Sequence, residues 1–122
     1  MPIASRGQAT VELALVLPVV VVLALAVGQV AVIAVDSVLV HHAAREAARA
    51  AAVDPSLATA HGAAIGAAGL QADQLSVSLS GGRAPGDTLT VEVRYRSTTD
   101  VPLVGRIVGD VDLEAAVAIR VE

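Results

Sequence analysis

The sequence predicts an α+β fold: a long N-terminal helix made of a membrane span and an extension beyond it, a short second helix, then a three-stranded antiparallel sheet. Three observations predict it. Residues 13–35 carry no charge, residues 36–53 are rich in alanine and contain neither Gly nor Pro, and from Leu75 onward apolar and polar residues alternate with a period of two.

The span comes first. The chain is 55% hydrophobic with a mean hydropathy of +0.71, too apolar for an ordinary soluble domain of 122 residues. That excess is concentrated in residues 13–35, where Gln29 is the only strongly polar side chain. At ~1.5 Å per residue this stretch reaches roughly 34 Å, enough for a hydrocarbon core of about 30 Å. Arg6 and the α-amino group precede it and Asp36 follows it, so the positive-inside rule places the N-terminus in the cytoplasm and the remainder outside.

Beyond the span, alanine's high helix propensity extends the same helix to Asp54-Pro55. Leu39, Ala43, Ala47, Ala50 and Val53 form an apolar stripe at helical spacing, while His42, Arg45, Glu46 and Arg49 fall on another face. Glu46 and Arg49 are spaced for an i,i+3 ion pair, and this face reads either as solvated or as a candidate subunit contact. A second helix is expected over residues 55–68, with Asp54 as N-cap, Pro55 at its first position and Gly69 as terminator. Gly62 and Gly66 within it read as a point of close packing.

Leu75, Val77 and Leu79 alternate with serines, and Leu89, Val91, Val93 and Tyr95 alternate with Thr90, Glu92, Arg94 and Arg96. The Gly/Pro-rich residues between them make a hairpin connection. A third alternation starts at Val111 and ends at Val121, and residues 101–109 can hold a short helical turn. The sheet's apolar face needs a cover, and residues 36–53 are the available helix. The organisation is a cytoplasmic leader over 1–7, a long helix over 8–53 with its span at about 13–35, a short helix and connection over 54–69, and an extracytoplasmic sheet over 70–122. About fifty residues of sheet without a disulfide form a domain of marginal independent stability, which favours an assembly partner.

Composition narrows the chemistry. Net charge is −4, the chain has no Lys, and Tyr95 is its only aromatic residue, which excludes a basic, base-stacking nucleic-acid surface. The absence of Cys excludes thiolate metal sites and cysteine nucleophiles. His41, His42 and His61 are the only candidate metal imidazoles, and adjacent histidines on a helix point about 100° apart, too far to share an ion easily. Asp110, Asp112 and Glu114 belong to the polar side of a strand, so no metal, cofactor or small-molecule substrate is expected. No nucleophile elbow, phosphate loop or dinucleotide fingerprint occurs, and the chain reads as a structural protein and not an enzyme. A membrane-anchored extracytoplasmic domain with a ligand-binding or enzymatic role is the competing class; it requires convergent polar residues around a cavity.

Three readings of the N-terminus stay open. Ala24-Leu25-Ala26 fits a signal-peptide cleavage pattern, although the apolar run continues to Val35. An uncleaved anchor of ordinary type is the second. The third turns on Glu12, a carboxylate that costs roughly 2.5–3.5 kcal/mol if carried to the bilayer centre. It either stays among the headgroups, complementing the positive end of the helix dipole, or it has a partner in the membrane. Pro18 removes one backbone donor inside the span and is either a tolerated proline or a kink with a role in bending or extraction.

Gly7-Gln8-Ala9-Thr10-Val11-Glu12 resembles the type IV prepilin peptidase site, in which a short polar leader ends in Gly and Glu occupies mature position five. Val11-Glu12-Leu13-Ala14-Leu15-Val16-Leu17-Pro18 and Ala43-Ala44-Arg45-Glu46-Ala47-Ala48-Arg49 resemble the TadE-like family of tight adherence (Flp) pilus systems. The resemblance covers residues 6–51. It implies a pilin-like fold and a pseudopilin or minor pilin of the bacterial plasma membrane, cut between Gly7 and Gln8 by a prepilin peptidase. It further implies that Glu12 registers the helix against a neighbour's α-amino group, and that the partners are other pilin-like subunits and the pilus assembly machinery.

Overall fold

A computed structural model describes residues 3–98, 106, 107 and 109–122. One helix, α1, occupies Ile3–Val53 without interruption at Pro18. It starts ahead of the expected Gln8, because nothing between Ile3 and Gly7 breaks a helix and one glycine costs only about 1 kcal/mol. Its 51 residues extend about 76 Å at 1.5 Å each. Helix α2 (Leu57–Ala68) follows, then a 3-10 turn at Ala72–Gln74 and strands β1 (Leu75–Gly81), β2 (Thr88–Ser97) and β3 (Val111–Arg120). The sheet is antiparallel in the order β1-β2-β3, with Leu75 opposite Tyr95 and Leu89 opposite Ile119. The architecture is the expected α+β arrangement. The expected helical turn over 101–109 lies outside the described residues except at 106, 107 and 109.

The core lies between the far half of α1 and the sheet. Leu89, Val91, Val93 and Tyr95 of β2 are buried, as the alternation requires, and the central strand contributes the largest side chains. Helix α1 packs against β2 and β3 and also against α2, which reaches β1. The second helix is therefore part of the cover. With neighbours on two sides, the buried arc of α1 is wide: Val40, Ala43, Ala44, Ala47, Ala48 and Ala51 are sealed from solvent. This shifts the expected stripe. Ala43 and Ala47 belong to it, whereas Leu39 and Ala50 are half-buried and Val53 is 73% exposed at the helix end.

Two local expectations are corrected. The N-cap of α2 is Ser56, not Asp54: Ser56 has extended backbone and its Oγ accepts from the Thr59 amide at 3.2 Å. Pro55 therefore precedes the cap, and Asp54 contributes indirectly by accepting the Thr59 hydroxyl at 2.7 Å. Gly69 ends the helix in the left-handed region, as expected. Gly62 and Gly66 do not mark close packing; both are exposed, and a Cβ built on either meets nothing within 4 Å.

Candidate functional site

The candidate site is the half of α1 that the head leaves bare. Leu13, Leu15, Leu17, Leu23, Val27 and Val30 are each more than half exposed, which water would penalise by ~25 cal/mol per Å² of apolar surface. Among the described residues one helix, within Gly7–Val53, is long and apolar enough to cross a membrane. Its residues 13–35 are almost bare of protein neighbours, so lipid or another helix is their natural solvent. Gln29 is the exception, buried to 3%.

At the head of this segment Gly7, Gln8 and Glu12 are all exposed. A Cβ added at Gly7 meets nothing within 4 Å, so the fold itself does not require glycine there. Gln8 Nε2 donates to Glu12 Oε1 at 3.4 Å across one helical turn, and no ion pair to Glu12 occurs among the described residues. Pro18 is exposed on the same segment.

The apolar half meets the head at Asp36. Ser97 Oγ donates to Asp36 Oδ2 at 2.7 Å, joining the end of β2 to the first charged residue after the span. Ser97 is 1% exposed. Sequence reasoning did not single out this pair, although one signal was present: Ser97 continues the inward alternation of Leu89, Val91, Val93 and Tyr95 as its one polar member.

Farther along, Arg45 and Arg49 are exposed and Glu46 is half-buried. Glu46 and Arg49 form no ion pair; the ion pairs among the described residues are those of Arg94 and Arg96. Arg45 Nε instead donates to the His41 carbonyl at 3.4 Å, and His41 Nδ1 donates to the Ser37 carbonyl at 2.7 Å. On the sheet's outer side Arg94 bridges Glu92 (2.6 Å) and Glu114 (3.3 Å), and Arg96 meets Asp112 at 3.3 Å. Hydrogen bonds from Glu114 first, and then from Arg94, hold the Glu92 carboxyl below its ordinary range, and Glu92 raises Arg94 in return. Asp112 and Glu114 are thus paired with cations on a strand surface, as solvated charges are. No group of three or more His, Asp or Glu suited to a metal occurs among the described residues.

Residues 7–49 match the family model described as TadE-like protein. The matched residues are similar to that family and make up 43 of the chain's 122 residues. The match begins at Gly7 and ends at Arg49, so it contains Gln8, Glu12, Pro18, Arg45 and Glu46 and takes in the bare half of α1 together with most of its packed half. The apolar helix is consistent with single-pass membrane anchoring. The sheet lies outside the matched residues. No curated protein and no solved structure matches the chain.

Proposed function

We propose that this chain is a structural, non-enzymatic component of tight adherence pilus assembly, a pseudopilin or minor pilin. In this reading a prepilin peptidase cuts between Gly7 and Gln8, the N-terminus is cytoplasmic, and the α+β head is extracytoplasmic. Glu12 then becomes the fifth mature residue and receives a neighbouring subunit's α-amino group as the apolar helix moves from bilayer to assembly. Arg45, Glu46 and Arg49 are candidate contacts between subunits.

The observation that carries the reading is the division of α1 within the TadE-like segment: a bare apolar half headed by exposed Gly7, Gln8 and Glu12, and a second half sealed into its own head. A helix so divided can exchange lipid for neighbouring helices without unfolding the head. Intact-mass measurement on chain extracted from membranes tests the processing step. The expected species begins at Gln8; a chain that keeps residues 1–7 overturns the peptidase step, and one that begins at Val27 supports signal-peptide cleavage instead. Glu12→Ala should leave membrane insertion intact and abolish incorporation with other pilin-like subunits. Unchanged assembly rejects the role given to Glu12.

A further inference from the structure

Ala31, Val35, Val38, His42, Arg45 and Arg49 follow each other in alternating steps of four and three, which places them along one side of α1. The side changes character abruptly. After Val38 the next exposed large apolar side chain on the helix is Val53, and the exposed positions between include His41, His42, Arg45 and Arg49.

Two open grooves flank this transition. One, of about 260 Å³, is lined by Ala31, Val32, Val35 and Asp36. The next, of about 540 Å³, is lined by Ser37, Val38, His41, Arg45 and, from β3, Val117. Two side chains of the second groove lean toward the first: His41 and Arg45 each donate to the carbonyl one turn nearer the N-terminus. Two carboxylates lie nearby and neither neutralises Arg45. Asp36 is turned to the sheet by the Ser97 hydroxyl, and Glu46 forms no ion pair among the described residues.

The heights agree with a bilayer edge. The Arg45 backbone lies about 10 Å beyond Val38 at 1.5 Å per residue, and leaning back one turn brings the guanidinium to about 5 Å. If the hydrocarbon ends at Val38, that is within the headgroup layer, which is roughly 5–7 Å thick on each side.

We propose that the groove between α1 and β3 holds the phosphate of an anionic phospholipid from the leaflet where the head emerges. His41 and Arg45 contact the phosphate, and the acyl chains lie along Val38, Val35 and Ala31. The inference rests on the membrane-spanning reading proposed above. It assigns the Arg45 cation and the His41 ring beside it to lipid while the chain waits in the membrane.

The test is native mass spectrometry of the full chain reconstituted in vesicles of equal phosphatidylglycerol and phosphatidylcholine. The wild-type chain should retain phosphatidylglycerol preferentially. Arg45→Gln should lower that preference about fivefold, the share of one surface arginine. Arg45→Lys should keep most of it, and so should Arg120→Gln, because β3 ends beside the far end of α1, where the Glu122 amide donates to the Ala52 carbonyl. Near-ultraviolet circular dichroism of Tyr95 confirms that each variant is folded. Equal retention of both lipids, an equal loss in Arg120→Gln, or displacement of lipid by free glycerol phosphate overturns the proposal. So does a lipid-free dimer that Arg45→Gln dissociates, which would give the groove to a second copy. A chain that alkaline extraction strips from vesicles overturns the spanning reading and this one together, whereas an inserted chain without lipid preference overturns this one alone.

Discussion

Removing the Ser97 hydroxyl should loosen the junction between stem and head. Ser97→Ala deletes a hydrogen bond to a carboxylate, a class worth about 1.5–3 kcal/mol. Asp36 is only half-buried, so water can restore part of its solvation and the loss belongs near the lower end, about 1.5 kcal/mol. For a head of roughly 90 residues this lowers Tm by about 6–12 °C. The assay follows from composition. Tyr95 is the only aromatic residue and is buried in β2, so thermal melts of the full chain in micelles, followed in the tyrosine near-ultraviolet band, report on the head without interference from the long helix. Asp36→Asn keeps a neutral acceptor and should lose less than Asp36→Ala. In the Asp36→Ala background, Ser97→Ala should cost under about 0.5 kcal/mol, because the partner is already gone. A Ser97→Ala chain that melts within about 2 °C of wild type, or that loses as much without Asp36 as with it, refutes the reasoning.

The alanine seam and the sheet edges give further expectations. Ala47→Leu forces a large side chain into a position with no exposed surface and should destabilise the head by about 1–3 kcal/mol, read in the same melt; an unchanged Tm would show that the seam is not close-packed. Gly81 has φ +100, and a Cβ there would lie 2.5 Å from the Thr88 carbonyl oxygen, so Gly81→Ala should cost about 1–3 kcal/mol and show as faster amide exchange in β1 and β2. The Glu92 carboxyl is held below its ordinary value of 4.5, so its contribution is present above that pH and is lost as pH falls through the lower folded value. Tm should therefore drop on acidification below about pH 4.5, and Glu92→Gln should flatten that part of the profile, modestly because the pair is exposed.

How much of this was legible in the sequence differs by element, for physical reasons. The strands were readable because a period of two with Val and Leu against Ser, Thr and charges has no helical counterpart, and β1, β2 and β3 stand where the alternation put them. The apolar span and its continuation into the alanine-rich residues were readable from charge and length. The buried face of α1 was not. Arg45, Glu46 and Arg49 mark the outward side, but with alanine at 43, 44, 47, 48, 50, 51 and 52 the rest of the circumference is nearly uniform, and only the positions of α2 and the sheet choose which arc of it closes. The cap of α2 was misread because Asp54 and Ser56 are both good caps flanking a proline. The ion pair between half-buried Glu46 and exposed Arg49 does not form, as a pair reaching solvent gains little over the side-chain entropy it loses.

The same physics explains why the junction escaped notice and why it matters. A serine at the inward phase of a strand end looks like the point where alternation stops, and an aspartate after an apolar run looks like a boundary charge. Their pairing needs the strand to return to the helix sixty-one residues later in sequence. Once formed, it fixes where the head sits on the stem. Residues 13–35 are then bare on nearly all sides, while the stretch beyond Asp36 is committed to its own sheet. A helix with polar commitments along its whole length could not change solvent cheaply. This one carries its charges at the two ends of the span, Glu12 at the head and Asp36 at the junction, and a single strongly polar side chain, the buried Gln29, between them, so the energetics of its exposed apolar side chains change little whether lipid or another apolar helix surrounds them.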